Sequence, residues 1–199
     1  MNERPRALLF DLDDTILDFT GPAGPAWAST LQEFADRFGQ YTPEDVRVVI
    51  DEVSRDWWSD PERHRRGRLD LAATRERNVA DALARLGLRD DSLAPELATT
   101  FGRLRTDGLR LFPGARETLE DFYGNVPLAL VTNGDSRGQR YKIERFDLAR
   151  YFECIVVEEE FGVGKPDERV FRHALARLGA KPGEAWMVGD NLRWEIEPC

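Results

Sequence analysis

Ala7-Leu8-Leu9-Phe10-Asp11-Leu12-Asp13-Asp14-Thr15 decides the fold. Four apolar residues without polar alternation have the length of a strand buried on both faces, and a group of carboxylates and a hydroxyl follows at once. The same pattern returns three times. Leu128-Ala129-Leu130-Val131 is followed by Thr132, Asn133 and Gly134. Some way past Cys154-Ile155-Val156-Val157 comes Gly162-Val163-Gly164-Lys165-Pro166, and Ala185-Trp186-Met187-Val188 runs into Gly189, Asp190 and Asn191. Helical patterns lie between these runs. Phe112-Pro113-Gly114 leads into a segment holding Leu119 and Phe122, and Asp167 caps a helix with Val170, Phe171, Ala174, Leu175 and Leu178 before Gly179 ends it. Strand and helix in alternation predict an α/β fold, with a Rossmann-like parallel sheet covered on both faces.

Residues 19–108 read differently. Trp27, Leu31, Phe34 and Phe38 fall at helical spacing, and Thr42-Pro43-Glu44-Asp45 is a helix start followed by Val46, Val49, Ile50, Val53 and Trp57. Two further amphipathic runs hold Leu71, Val79, Leu83 and Leu86, then Leu93, Leu97, Phe101 and Leu104. No strand-like run interrupts them. The expectation is an all-helical cap, 19–108, inserted into an α/β core made of 1–18 and 109–199.

The chain of 199 residues is 41% hydrophobic and 10% aromatic, which suits one domain carrying an insert rather than a disordered or membrane protein. Its 28 Lys and Arg stand against 37 Asp and Glu, a net charge of −9. So acidic a surface repels phosphate backbones and anionic lipid, and therefore argues against nucleic-acid and membrane partners. Any phosphate chemistry must come from a local arrangement of donors or metal. Cys154 and Cys199 make neither a disulfide framework nor a zinc-ligand set. With no secretory signal and no long apolar stretch, the expectation is a cytoplasmic protein, monomer or homodimer.

In an open parallel sheet, ligands sit outside the carboxyl ends of the strands. Four separate segments would thus deliver carboxylates, a hydroxyl, an amide and an ammonium to one edge. An Asp after a strand is usually a turn or a helix cap; four such segments together are hard to explain as turns. Asp11, Asp13 and Asp190, brought close, repel one another by about 4 kcal/mol per pair at ~4 Å and an effective dielectric of about 20. Such a cluster must take up a proton, a Lys or a metal. Among metals, an all-oxygen set favours Mg²⁺. Lys165 and Thr132 add donors, and the whole suits a phosphoryl group.

These four segments, in this order, resemble the four motifs of the haloacid dehalogenase-like (HAD) hydrolase superfamily, and a helical cap after the first motif is one of its layouts. The stretch from Val157 to Pro166 looks most like the branch of nucleotidases and sugar-phosphate phosphatases. The resemblance implies that Asp11 is the nucleophile and forms an aspartyl-phosphate. Asp13 would protonate the leaving alcohol and later deprotonate water. Mg²⁺ would be held by Asp11, the Asp13 carbonyl and Asp190; Thr132, the backbone at Asn133 and Lys165 would grip the phosphoryl group. Dehalogenases of this superfamily lack an acid at the place of Asp13, so the resemblance points to a phosphatase of small phosphorylated metabolites, a nucleoside monophosphate or a sugar phosphate. Glu195 stands where the family more often has Asp, and its longer side chain suggests a role behind the ligands.

The remaining features read more plainly. Trp57-Trp58 with Arg63, His64, Arg65, Arg66 and Arg68 is either a surface closing over the site or a solvated basic helix end. Trp27 and Trp57 lie on apolar stripes and read as packing, and Cys154 as a small buried residue. Family members continue past the fourth motif, so the ending at Glu197-Pro198-Cys199 reads either as a C-terminal truncation, which leaves apolar sheet surface exposed, or as the loss of a dispensable tail. That gives a rival reading, a folded but weak or inactive protein acting as a binding module. A receiver-like signalling domain ranks below it, because it has no room for the insert.

Overall fold

The computed structural model describes residues 5–196; the expectations about Cys199 and the ending at 197–199 lie outside them. The chain divides into two compact units, residues 1–20 with 110–199, and residues 21–109. Along the chain, β1 (Ala7–Phe10) and β2 (Leu17–Asp18) come first. Five helices follow: α1 (Ala23–Glu33), α2 (Pro43–Ser59), α3 (Pro61–Gly67), α4 (Leu71–Arg85) and α5 (Leu93–Asp107). The chain then returns through β3 (Arg110–Leu111), α6 (Ala115–Phe122), β4 (Leu128–Thr132) and α7 (Ser136–Arg145). It continues with β5 (Cys154–Val157), α8 (Glu158–Phe161), α9 (Glu168–Arg177), β6 (Ala185–Val188) and a π-type turn, Leu192–Ile196.

Among the described residues the main sheet has four strands, all parallel, in the order β5-β4-β1-β6. The fold is α/β, as the alternation of apolar runs and helical patterns requires. The chain steps outward from β1 through β4 to β5, then crosses to the other side of β1 to lay down β6. The strand order therefore reverses at β1, and in such sheets the crevice at the reversal is where ligands sit. The loops after β1, β4 and β6 all open there.

Packing follows the period of two along each strand. Ala7, Leu9, Ala129, Val131, Cys154 and Val156 form one apolar cluster with Val170, Phe171, Ala174, Leu175 and Leu178. The apolar stripe of α9 thus covers one face of the sheet. Alternate residues Leu8, Phe10, Leu128 and Leu130 are buried on the opposite face. Each such side chain contributes about 1.5–3 kcal/mol by leaving water.

β6 departs from the expected burial on both faces. Trp186 is 59% exposed and Val188 37%, whereas Ala185 and Met187 pack against the α9 cluster. The cause is position: β6 is the edge strand among the described residues, and only one of its faces is covered.

The second unit is helical throughout its described elements. Trp27, Leu31, Ile50, Val53, Val79, Leu83, Leu97 and Phe101 belong to one core, so the stripes read at helical spacing point inward together. Trp27 stacks on Phe101 with ring centroids 4.1 Å apart. α2 begins with a full capping box: the Asp45 amide donates to the Thr42 hydroxyl at 3.2 Å and the Thr42 amide to the Asp45 carboxylate at 2.8 Å. Arg63 and Arg77 both lie over the Trp57 ring, at 5.6 and 4.5 Å from its centroid. Among the described residues no helix is long and apolar enough to cross a membrane.

Candidate active site

Asp11 leaves the end of β1 with its backbone still in the sheet, its amide donating to the Val188 carbonyl at 2.9 Å. The strand's last hydrogen bond therefore fixes the start of the acidic loop. Asp14 then takes a left-handed conformation, φ 59°. Its carboxylate accepts from the amides of Phe19 and Thr20 at 3.0 and 2.8 Å, so it shapes the loop rather than serving as a free acid.

Lys165 is fully buried and donates to Asp11 Oδ1 at 2.6 Å and to Glu195 Oε1 at 2.5 Å. A buried ammonium this far from water is tenable only with such partners. Its backbone is held as well. The Asn133 side chain accepts from the Lys165 amide at 2.7 Å and donates to the Lys165 carbonyl at 2.9 Å. Asn133 thus grips Lys165 with its side chain, a bond the sequence reading did not foresee.

Asp11, Asp190 and Glu195 each bring a carboxylate oxygen within 4.8 Å of the other two. Three negative charges face one ammonium, a balance of two negative charges that suits a divalent cation. The donors are all oxygen, which fits a hard ion such as Mg²⁺. Burial, and next the nearby Glu195, push the Asp190 carboxyl above its usual range. Burial likewise drives Asp11 up to about 7, against the opposing pull of Lys165. A cation seated among these groups favours their ionised forms.

Glu195, which the sequence suggested behind the ligands, lies within this carboxylate cluster. The turn at 192–196 folds it back under the loop after β6, where it is buried and accepts from the Asn191 amide at 3.0 Å. Gly189 makes the space, because a Cβ there would collide with the Glu195 carboxylate. A glycine just before the acidic residue of that loop was the available signal.

Asp13 points elsewhere. Its carboxylate accepts from Lys142 Nζ at 2.9 and 2.7 Å and from Gln139 Nε2 at 3.1 Å, and it is not part of the three-carboxylate cluster. Thr132, buried at the end of β4, has a hydroxyl that accepts from Gln139 Nε2 at 2.6 Å. Its own hydrogen remains available to donate. Glu158, also unforeseen, is buried and accepts from the Gly134 amide at 3.0 Å, bracing the loop after β4. Cys154 is buried, and burial raises its thiol above the usual range, consistent with an inert packing residue.

Asp11, Thr132, Asn133, Lys165 and Asp190 thus lie on the loops at one end of the parallel sheet. The chemistry available there is that of a buried carboxylate beside an ammonium, a hydroxyl, a second carboxylate with its own cation, and a carboxylate cluster that could hold a hard divalent ion.

A family model described as haloacid dehalogenase-like hydrolase matches residues 5–198. N-acylneuraminate-9-phosphatase of Rattus norvegicus is 28% identical over 194 residues, 98% of this chain and 77% of the relative. Ribulose-1,5-bisphosphate 5-phosphatase of Halopiger xanaduensis is 32% identical over 196 residues, 96% of this chain and 78% of the relative. Among solved structures, the HAD hydrolase YfnB of Bacillus subtilis, bound to magnesium, superposes with a TM-score of 0.68 at 26% identity, covering 98% of this chain and 82% of that one.

Proposed function

Since the chain belongs to the haloacid dehalogenase-like hydrolases, we propose that it is a Mg²⁺-dependent phosphatase that hydrolyses a small phosphorylated metabolite through an aspartyl-phosphate on Asp11. One observation carries the reading: Lys165, Asp190 and Glu195 gather around Asp11 at the carboxyl ends of parallel strands. The names of two relatives, an N-acylneuraminate-9-phosphatase and a ribulose-1,5-bisphosphate 5-phosphatase, support that substrate class.

Lys165 ties up Asp11 Oδ1, while among the described residues Oδ2 has a long contact, 3.4 Å, from the Thr15 hydroxyl. Oδ2 is therefore the oxygen that attacks phosphorus, as the bond from phosphorus to the leaving alcohol breaks. Asp13 gives its proton to the departing oxygen. In the second half Asp13 takes a proton from the water that attacks the aspartyl-phosphate, which frees Asp11 and inorganic phosphate. The Thr132 hydroxyl and the Lys165 ammonium donate to the phosphoryl oxygens, where charge builds up. The carboxylates of Asp11, Asp190 and Glu195, with the Asp13 carbonyl, would hold Mg²⁺, which when bound would supply charge neutralisation for the phosphoryl dianion.

The test is hydrolysis of p-nitrophenyl phosphate and a panel of sugar and nucleoside phosphates, with and without Mg²⁺. Turnover should vanish in EDTA and in Asp11→Asn. Hydrolysis that survives both excludes the nucleophile and the metal together.

A further inference from the structure

Helix α7 carries two side chains that the steps above do not use. Its sequence, Ser-Arg-Gly-Gln-Arg-Tyr-Lys-Ile-Glu-Arg, is strongly polar, yet Gln139 and Lys142 are buried. The Asp135 carboxylate caps the helix by accepting from the Gly138 amide at 2.6 Å, and residues three apart then share one face. That face meets the loops after β1 and β4. Lys142 Nζ donates to both oxygens of Asp13, at 2.9 and 2.7 Å, and to Gln139 Oε1 at 2.6 Å. It also lies 3.9 Å from the centroid of the Phe19 ring, which walls the ammonium in. With its carbonyl so engaged, the Gln139 amide has one orientation. The two hydrogens of its Nε2 go to the Thr132 hydroxyl at 2.6 Å and the Asn133 carbonyl at 2.7 Å, and Asp13 Oδ2 at 3.1 Å shares in one of them.

We infer that Lys142 and Gln139 are positioning residues, which hold the Asp13 carboxylate in one orientation for its two proton transfers and link it to Thr132. The inference rests on the reading of Asp13 as acid and base given above. An ammonium with a side chain only 8% exposed sits opposite a carboxylate that is 23% exposed. The cation is thus enclosed, while the anion keeps contact with solvent. An ion pair serving only to pin α7 to the sheet has no need of that asymmetry, nor of a second donor shared with the phosphate-facing hydroxyl. An acid displaced by about 1 Å loses on the order of a hundredfold in rate.

Phenyl phosphate and p-nitrophenyl phosphate have nearly the same shape, but phenolate is much the more basic leaving group. In the first step Asp11 bonds to phosphorus, the ester bond breaks and the leaving oxygen takes the Asp13 proton; p-nitrophenolate departs without it. In the second step water bonds to phosphorus, the Asp11 bond breaks and the water proton goes to Asp13, whatever the substrate was. In single-turnover mixing, Lys142→Met should therefore slow phenol release at least about tenfold more than p-nitrophenol release, with KM for both within about threefold of wild type. In the steady state the variant should show a burst of one p-nitrophenol per site, because the second step has become the slower. Gln139→Leu, which removes no charge, should show the same pattern more weakly, and it decides the matter if Lys142→Met does not fold. Equal slowing of both substrates, or none, in a folded variant overturns the clamp. A wild type indifferent to EDTA and to Asp11→Asn overturns the phosphatase reading instead, so the two failures are distinguishable.

Discussion

Lys165 Nζ lies 2.6 Å from Asp11 Oδ1, across 154 positions of sequence. The two are brought together because β1 ends in Asp11, while the loop carrying Lys165 is clasped by Asn133 at the end of the neighbouring strand β4. Both partners are buried, so the pair cannot be halved cheaply: removing one partner of a buried pair costs about 3–5 kcal/mol. Lys165→Met should lower the unfolding free energy by about that much in urea titrations and cut turnover at least about a hundredfold. Full activity in Lys165→Met removes the ammonium from the mechanism.

Asp11 makes the metal-free protein sensitive to pH in a definite direction. Its folded carboxyl titrates at about 7 instead of 3.8, with burial as the main cause. Between those two values the unfolded chain has released a proton that the folded chain keeps, so stability falls as pH rises through that window, by up to about 4 kcal/mol. Urea unfolding in EDTA at several pH values should show this slope in wild type, and Asp11→Asn should lack it. Because proton and cation compete for the same carboxylate, the Mg²⁺-induced rise in Tm should weaken below pH ~7, by about tenfold in affinity per pH unit. A flat Mg²⁺ response across that range means Asp11 holds no metal.

Asp13 and Glu195 should separate in a Mg²⁺ titration. Glu195 belongs to the three-carboxylate cluster, whereas the Asp13 side chain is engaged by Lys142 and Gln139. Glu195→Gln should therefore raise the Mg²⁺ concentration needed for half-activity, and excess Mg²⁺ should recover much of the rate. Asp13→Ala should lose about 10² to 10⁴ of the rate at any Mg²⁺ concentration. Recovery of Asp13→Ala by metal would reverse the two assignments.

The apolar runs at β1, β4 and β5 were legible because a strand buried on both faces admits no polar residue, and their order dictated a parallel α/β sheet. The helices of 21–109 were legible for the same kind of reason, since apolar residues recur at helical spacing within each of them, as Val46, Ile50 and Val53 do in α2, and face one core. β6 was legible as a strand, but its one-sided exposure was not, because composition does not say which strand lies at the sheet's edge. The contacts of Glu195 and the burial of Gln139 and Lys142 were not legible, for a different reason. Their roles depend on contacts between loops far apart in sequence, and a polar residue on a polar helix carries no local sign that it is buried.

Phe101 offers a check on the helical unit alone. It is buried and stacked on Trp27 at 4.1 Å. Phe101→Ala should cost about 3–5 kcal/mol, as large-to-small changes in packed aromatic cores do. Urea unfolding followed by tryptophan fluorescence reads it directly. A loss well under 1 kcal/mol would mean the α1–α5 contact is not part of a packed core.

Gly189 gives the sharpest test of the metal seat, because the variant changes no ligand. The Glu195 carboxylate occupies the place where a Cβ at 189 would stand, and Glu195 Oε2 also accepts from the Asn191 amide at 3.0 Å. Gly189→Ala therefore forces that carboxylate away. It then loses its bond to Lys165, on one side, and its place beside Asp11 and Asp190 on the other. The expected result is weaker Mg²⁺ binding by at least about tenfold, together with a drop of about 1–3 kcal/mol in stability from the displaced buried carboxylate. Isothermal titration with Mg²⁺ measures the first and urea unfolding in EDTA the second. Wild-type Mg²⁺ affinity in a folded Gly189→Ala protein would show that Glu195 is no part of the seat.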